Sequence, residues 1–183
     1  MDISDEQLDV CRKSGLDTLH CSALELQREA LIPEGESLML ISRSVMHYFG
    51  KEGQEHFLSS MRSVMKEGEM LVQQAACFAS KEEKECMNEL YPMMGVDKFY
   101  MTPDELRVAH ERNGWKVVDV LPASPLDLCS EDLAERYALG DDDLKRMCET
   151  LRRFGLNQQD VFDVGDDRFR GPFTYRIVIA CAI

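Results

Sequence analysis

Long apolar runs are missing from this sequence: none approaches the roughly 18 residues that a membrane-spanning helix requires. Positive charge is scarce too, because 21 Lys and Arg residues stand against 34 Asp and Glu residues, for a formal net charge of −13 and a pI of about 4.7. Nucleic-acid backbones and anionic lipid surfaces both recruit basic proteins. The composition therefore argues against nucleic acid and against a membrane as the main partner.

Paired cysteine motifs are also missing. The seven cysteines are odd in number and form no C-x-x-C, and no histidine pair has metal-ligand spacing. Most of them are expected to be small core residues in a reducing compartment. Residues 1–6 are acidic and lack the basic and apolar regions of a signal peptide. We expect a cytosolic protein without a metal site.

Glycine-rich turns are absent, since no G-x-G triplet occurs anywhere. A nicotinamide-dependent dehydrogenase needs such a turn to bring its backbone close to the pyrophosphate, so this class is disfavoured. The 183 residues, of which 44% are hydrophobic and 30% charged, are ordinary for one globular domain with a sizeable core. We see no repeat, low-complexity tract or domain boundary.

The central feature of the chain is a strand–helix–strand unit. The apolar run 37–42 indicates a buried strand, although periodicity alone also allows a buried helix segment. Apolar residues over 54–65 mark one face of an amphipathic helix, and Gly68 follows as a stop. Residues 70–78 return as a second buried strand. The unit predicts a parallel pair with a crossover helix.

Polar side chains follow the first of these strands, where the ligand crevice of such a sheet lies. Ser42, Arg43 and His47 stand there. His47 is a candidate general base or substrate ligand, and it could instead orient the turn by hydrogen bonding. Arg43 could hold an anionic substrate or pair with one of the many acids. One of Gln73 and Gln74 should face the crevice by strand periodicity.

The remaining pattern alternates helices and strands, which is typical of a doubly wound α/β fold. Helices are predicted over 5–13, 80–90, 102–112, 130–137 and 141–154, and strands over 18–21, 115–121 and 173–183, with a polar loop over 157–170. Pro122 and Pro125 should break the strand that starts at 115. Residues 122–172 then form a helical insertion that could shape a substrate pocket or an oligomer interface. The apolar, loop-like segment 91–100, with Tyr91, Met93, Met94, Phe99 and Tyr100, could close over a substrate.

Several stretches carry a further pattern in chain order. Residues 1–8 read MDISDEQL, residues 41–49 ISRSVMHYF and residues 61–71 MRSVMKEGEML. They resemble "vDiS-x-x-x-L", "D-x-I-x-x-x-x-x-L-H-h-h" and "R-x-L-K-P-G-G-x-L", motifs of the class I methyltransferases that use S-adenosylmethionine. Residues 102–118 also fit that family. The fold implied is a Rossmann-like sheet, mostly parallel with a late antiparallel strand.

The resemblance implies S-adenosylmethionine as cofactor. It places Asp2 on the ribose hydroxyls, at the tip of a strand. Further cofactor contacts are implied at Ile3, Ser22, Ala23 and Ser42, and the reacting groups would lie beside His47. The chain departs from the family in three ways: the glycine-rich first motif is missing, Ser22 stands where an adenine-binding Asp is usual, and Ser37 replaces the opening acid of the fourth motif. We expect an incomplete sheet, from the carboxyl-terminal portion of a methyltransferase or from a chain completed by another polypeptide.

The sequence therefore favours a methyltransferase, or a part of one, that acts on a small-molecule or protein acceptor. The alternative is a non-catalytic methyltransferase-like subunit or truncated product that acts through protein contacts along its sheet edge. An exposed, apolar central strand would favour that alternative.

Overall fold

The computed structural model describes residues 1–158 and 161–183. The helices are α1 (Asp5–Lys13), α2 (Arg28–Leu31), α3 (Gly50–Ser63), α4 (Lys81–Met93), α5 (Pro103–Arg112), α6 (Ser130–Tyr137) and α7 (Asp141–Arg153). The strands are β1 (Met39–Arg43), β2 (Met70–Ala76), β3 (Trp115–Cys129), β4 (Asp163–Val164) and β5 (Phe169–Ala182), and a 3-10 turn covers Met46–Phe49. None of the described helices is long and apolar enough to cross a membrane.

One mixed sheet organises the molecule. Its strand order is β1-β2-β5-β3, with β4 paired to β5. β1 and β2 are parallel, and β5 runs antiparallel to both β2 and β3. β1, β2 and β3 therefore point the same way, and β5 is inserted in reverse between β2 and β3. The expected α/β fold with a late antiparallel strand is confirmed.

The hydrophobic core has two parts. In the first, Leu58 of α3 packs with Leu71 and Trp115 of the sheet, and all three side chains are fully buried. The Trp115 indole N–H also donates to the Leu58 carbonyl oxygen at 3.1 Å. In the second, α4 and α7 pack against aromatic residues that include Tyr100 and Phe173. Each large apolar side chain buried in this way stabilises the fold by about 1.5–3 kcal/mol.

Capping residues in the sequence correctly predicted where α4 and α5 begin. Ser80 and Glu83 form a reciprocal capping box at α4, with hydrogen bonds of 3.1 and 2.8 Å. Thr102 and Glu105 repeat that arrangement at α5. These side chains satisfy backbone N–H groups that the first helical turn leaves without partners.

An ion pair between half-buried Arg28 and buried Glu69 connects the start of β1 to the start of β2. The Glu69 carboxylate accepts two hydrogen bonds from Arg28, both of 2.7 Å. It also accepts from the backbone N–H groups of Leu38 and Lys66, at 2.8 and 2.7 Å. The hydrogen bond from Arg28 is the main cause that lowers the pKa of Glu69 to about 2. This cluster fixes where β1 and β2 begin.

The prediction that β1 is buried is wrong. Met39 and Ile41 are 59% and 76% exposed. The reason is the position of β1 at the edge of the sheet, where only β2 pairs with it. Apolar side chains at alternate positions therefore face outward without a covering layer.

The prediction that Pro122 and Pro125 end the third strand is also wrong. β3 continues to Cys129 and stays paired with β5 along most of this length. Two features make the prolines acceptable: β3 is an edge strand, and its register shifts between Ala123 and Leu126. A proline without an N–H group is tolerated at an edge or at a bulge.

The segment 122–172 is therefore a long hairpin arm that carries two helices. The helix predicted over 130–137 is α6, and α7 ends one residue before the predicted boundary. The predicted polar loop 157–170 contains β4 and the first residues of β5. Residues 159 and 160 of that loop lie outside the described residues.

Several other boundaries differ, including those of β1 and β2, which were predicted over 37–42 and 70–78. α3 begins at Gly50 rather than at residue 54. The sequence did not predict this first turn, because the turn carries no apolar pattern. α4 extends through Tyr91 to Met93, with Pro92 in its last turn. The predicted strand 18–21 is reduced to a single parallel bridge between Asp2 and His20.

Candidate functional site

A strained turn follows β1 and aims the next residues across the end of the sheet. Ser44 has a positive φ of 54°, which is uncommon for a residue other than glycine. Its N–H donates to the Gln74 carbonyl oxygen at 2.9 Å, at the end of β2. The chain then enters the 3-10 turn that carries His47. The His47 carbonyl oxygen accepts from the Phe99 N–H at 3.1 Å.

His47 is held by rings rather than by hydrogen bonds. It is 5% exposed, and its ring centroid lies 4.4 Å from that of Tyr48 and 5.4 Å from that of Tyr100. Its Nδ1 atom is buried without a hydrogen-bond partner. Burial, together with the charge of Lys98, lowers the pKa of His47 to about 3. The imidazole is therefore neutral near pH 7 and is a weak base.

Lys98 lies beside His47 in a cage of tyrosines. It is only 7% exposed. Its Nζ atom is 4.4 Å from the Tyr48 ring centroid, 4.7 Å from that of Tyr91 and 5.6 Å from that of Tyr137. Nζ also donates to the Tyr137 hydroxyl at 3.0 Å. Within residues 1–158 and 161–183, no carboxylate lies within ion-pair distance of this ammonium group.

These side chains line a cavity of about 290 Å³ beyond the carboxyl end of β1, which we call the strand-end cavity. Its buried walls come from His47, Tyr91, Lys98, Leu133, Phe173 and Tyr175. Its exposed rim comes from the hairpin arm and α6, with Leu126, Asp127, Asp132 and Arg136 among the rim residues. The 122–172 segment therefore forms one side of the cavity.

The charges at the rim are arranged unevenly. Asp127 is engaged by Arg170, whose Nε atom lies 2.8 Å from its Oδ2 atom, and this contact lowers the pKa of the Asp127 carboxyl. Asp132 and Arg136 lie on α6 and make no ion pair in the described part of the chain.

Two larger depressions, of about 570 and 420 Å³, are shallow grooves around α4 and α5. Neither is lined by a residue of β1 to β5.

Arg43 and Ser42 lie close to the strand-end cavity but do not line it. The Arg43 side chain is exposed, and its Nε atom donates to the Gln74 Oε1 atom at 3.2 Å. Ser42 is half-buried and is the register partner of Gln73. Gln73 is fully buried, and neither polar atom of its amide has a hydrogen-bond partner.

The residues that the resemblance assigns to the cofactor lie near the amino terminus. The Asp2 Oδ1 atom accepts from the Ser4 N–H at 2.9 Å, which leaves Oδ2 available to a ligand. Ile3 is 71% exposed. The Ser22 Oγ atom accepts from the Leu24 N–H at 3.2 Å. Backbone hydrogen bonds between Asp2 and the chain around residue 20 bring these positions side by side.

The predicted site residues thus fall into two groups. His47 faces the strand-end cavity, with Ser42 and Arg43 beside it. Asp2, Ile3, Ser22 and Ala23 form the other group, and among the described residues no hydrogen bond or ion pair joins it to the first. An exposed carboxylate such as Asp2 fits a ribose diol. The glycine-rich turn that would admit the methionine half of S-adenosylmethionine is missing, so these residues fit only part of that cofactor.

Lys98 is the residue that the sequence analysis missed. It belongs to the aromatic-rich segment 91–100, which was expected to close over a substrate as a loop. In the structure Tyr91 lies in α4 and Tyr100 is fully buried, so the segment is a wall of the cavity. The available signal was a lone lysine among aromatic residues, but spacing could not show that the rings surround its side chain.

Comparisons with known proteins identify the fold. No protein-family model matches the sequence, and no curated protein matches it. Many solved structures are similar, and the following three are examples. A candidate methyltransferase from Bacillus halodurans has a TM-score of 0.73 at 14% identity, over 98% of this chain and 80% of that one. The YcgJ protein of Bacillus subtilis has a TM-score of 0.67 at 12% identity, over 98% and 79%.

The third is 1,6-didemethyltoxoflavin-N1-methyltransferase from Burkholderia thailandensis, solved with bound 1,6-didemethyltoxoflavin and S-adenosylhomocysteine. It has a TM-score of 0.50 at 9% identity, over 97% of this chain and 56% of that one. At such identities the likeness concerns the fold. The chain has the Rossmann-like fold of class I methyltransferases, as the sequence motifs suggested.

Proposed function

We propose that this chain is a methyltransferase, or part of one, that uses S-adenosylmethionine and acts on a small-molecule acceptor. The observation that carries the proposal is the strand-end cavity, which lies beyond the carboxyl end of β1 in a sheet of methyltransferase topology. Ligands of open α/β sheets bind at such edges. A cytosolic location is part of the proposal and is supported by the unpaired cysteine pattern.

On the cofactor side, Asp2 accepts hydrogen bonds from the ribose hydroxyls, with Ile3, Ser22, Ala23 and Ser42 around the nucleoside. When bound, S-adenosylmethionine supplies a sulfonium methyl group, and its transfer to an acceptor leaves S-adenosylhomocysteine. Transfer of this kind depends mainly on the positioning of the two reactants. The chain's own residues contribute the ribose contact and the acceptor cavity.

On the acceptor side, His47 forms part of the wall that positions the substrate. Because the pKa of His47 is about 3, the ring stays neutral, and it contributes shape and one polar atom rather than strong basicity. Arg43 lies at the edge of the site and can turn from Gln74 toward a bound anion. A protein side chain remains an alternative acceptor, because the cavity opens at an exposed rim.

Calorimetric titration with S-adenosylmethionine tests the proposal. The wild-type protein should release heat and saturate at millimolar ligand, and Asp2→Ala should weaken binding by about tenfold through the lost ribose contacts. Asp17→Ala, at another exposed carboxylate near the amino terminus, is the matched control and should bind as the wild type does. Absence of heat from the wild type would count against the proposal.

One observation favours the second candidate, a non-catalytic subunit that acts through protein contacts. β1 presents exposed Met39 and Ile41 along an unpaired edge, which is the arrangement expected of a sheet that another polypeptide completes. Sedimentation at increasing concentration tests it. Self-association that Ile41→Lys abolishes, in a protein that does not bind S-adenosylmethionine, would favour this candidate over the enzyme.

A further inference from the structure

Lys98 carries a buried positive charge that the described protein groups satisfy only in part. Removing an ammonium group from water is costly unless another group compensates. The tyrosine rings offset some of this cost through cation–π contacts. An ammonium group has three N–H donors, and the only hydrogen bond that the described residues accept from it goes to the Tyr137 hydroxyl. Two donors are therefore left for a ligand.

The acids around the strand-end cavity do not supply the missing anion. Asp127 is engaged by Arg170. Asp132 lies at the exposed rim, four residues before Arg136 on the same helix, and in the described part of the chain it forms no ion pair with Lys98. The lining of the cavity holds two cations, Lys98 and Arg136, and two carboxylates, Asp127 and Asp132, so its charges balance. Because Asp127 is already paired with Arg170, the Lys98 ammonium group keeps no anionic partner of its own among the described residues, although the whole chain has a net charge of −13.

The walls of the cavity restrict the shape of its ligand. Tyr91, Phe173 and Tyr175 contribute aromatic side chains to the lining, and Leu133 adds an aliphatic one. The volume of about 290 Å³ lies just below the range of roughly 300–1,000 Å³ that is common for ligand sites. A flat apolar body of one ring, with a single anionic group, matches both the walls and the size.

We propose that the strand-end cavity binds a small aromatic carboxylate, with the carboxylate paired to the Lys98 ammonium group and the ring packed against the tyrosine and phenylalanine walls. That this ligand is the methyl acceptor rests on the proposed function. Binding of the anion does not depend on it, because Lys98 and the walls belong to this chain and need no cofactor.

Titration of the wild-type protein with benzoate, without S-adenosylmethionine, tests the proposal. Benzoate should bind in the millimolar range or tighter, and benzamide, its neutral isostere, should bind at least about tenfold more weakly. Lys98→Met removes the charge and keeps the stem, and it should weaken benzoate binding to the level of benzamide. Lys98→Arg should retain the preference, and Lys116→Met, at an exposed lysine of β3, should leave it unchanged.

These binding measurements test the anion site independently of the proposed methyltransferase function. Equal binding of benzoate and benzamide by the wild type, or no binding of either, overturns the anion site even when Lys98→Met does not fold. Unchanged benzoate affinity in a folded Lys98→Met variant overturns it as well. Displacement of the His47 imidazole resonances by benzoate should locate the ligand in this cavity, and their constancy would contradict that location. If the protein binds benzoate through Lys98 but does not bind S-adenosylmethionine, the result supports the anion site and contradicts the proposed methyltransferase function.

Discussion

Lowering the pH should destabilise this protein at pH values well above those at which carboxylates titrate. The reason is that two histidines are buried and neutral in the folded state and take up protons when the chain unfolds. His47 is 5% exposed with a pKa of about 3. His110 is fully buried, and burial lowers its pKa to about 4, although the hydrogen bond between its Nδ1 atom and the Leu106 carbonyl oxygen, at 2.7 Å, acts in the other direction. Its Nε2 atom has no partner.

The size of the effect follows from the difference between the folded and unfolded states. An unfolded histidine has a pKa of about 6.5, so below that pH the unfolded chain binds protons that the folded chain excludes. Stability is therefore fully present above about pH 6.5 and falls as the pH decreases toward the folded values. Each unit of pH costs about 1.4 kcal/mol per histidine, so lowering the pH to about 5 costs about 2 kcal/mol for each and about 4 kcal/mol for both.

Urea unfolding at about pH 7, 6 and 5 measures this loss. A loss of about 4 kcal/mol is a large part of the 5–15 kcal/mol that stabilises a typical domain. His47→Gln and His110→Gln should each remove about half of the pH dependence, and His56→Gln, at an exposed histidine, should not change it. Glu69 does not interfere, because the stability from its lowered pKa is lost only below the unfolded value of about 4.5. An unfolding free energy that is the same at about pH 7 and pH 5 would refute the reasoning.

Three further predictions concern single positions. Lys98→Met should raise the pKa of His47, because it removes the nearby charge while burial remains, and an NMR titration of the imidazole would show it; an unchanged value would contradict the contact. Glu69→Gln should lower the melting temperature much more than Glu67→Gln at an exposed neighbour, since it leaves the half-buried Arg28 and two backbone donors poorly paired; equal effects would contradict the cluster. Gly50→Ala should destabilise the fold, because φ is +64° and the added Cβ would lie 2.7 Å from a carboxylate oxygen; unchanged urea unfolding would contradict that geometry.

The sequence was informative where local chemistry decides structure. Ser80 with Glu83 and Thr102 with Glu105 marked helix starts that the structure reproduces as capping boxes. The strand–helix–strand unit was also predicted correctly, because period and turn signals within about forty residues specify it. The motif order then led to the fold that the structural comparisons support.

Prediction failed where the outcome depends on distant parts of the chain. Met39 and Ile41 belong to an apolar run that reads as buried, and only the sheet order places them on an edge. Pro122 looks like a strand breaker, yet it is tolerated because β3 is also an edge. The lone Lys98 among aromatic residues did not reveal its role, since Tyr137, which lies 39 residues away, completes its environment. Sequence spacing carries none of this information.

The most direct test of the central claim is an NMR map of the S-adenosylmethionine site on isotope-labelled protein. We predict that the amide resonances of Asp2 and Ser22 shift together with those of Ser42 and His47 as the ligand is added, because the proposed cofactor site includes residues of both groups. Shifts confined to elements away from both groups, such as α7, or no shifts at all, would contradict the claim.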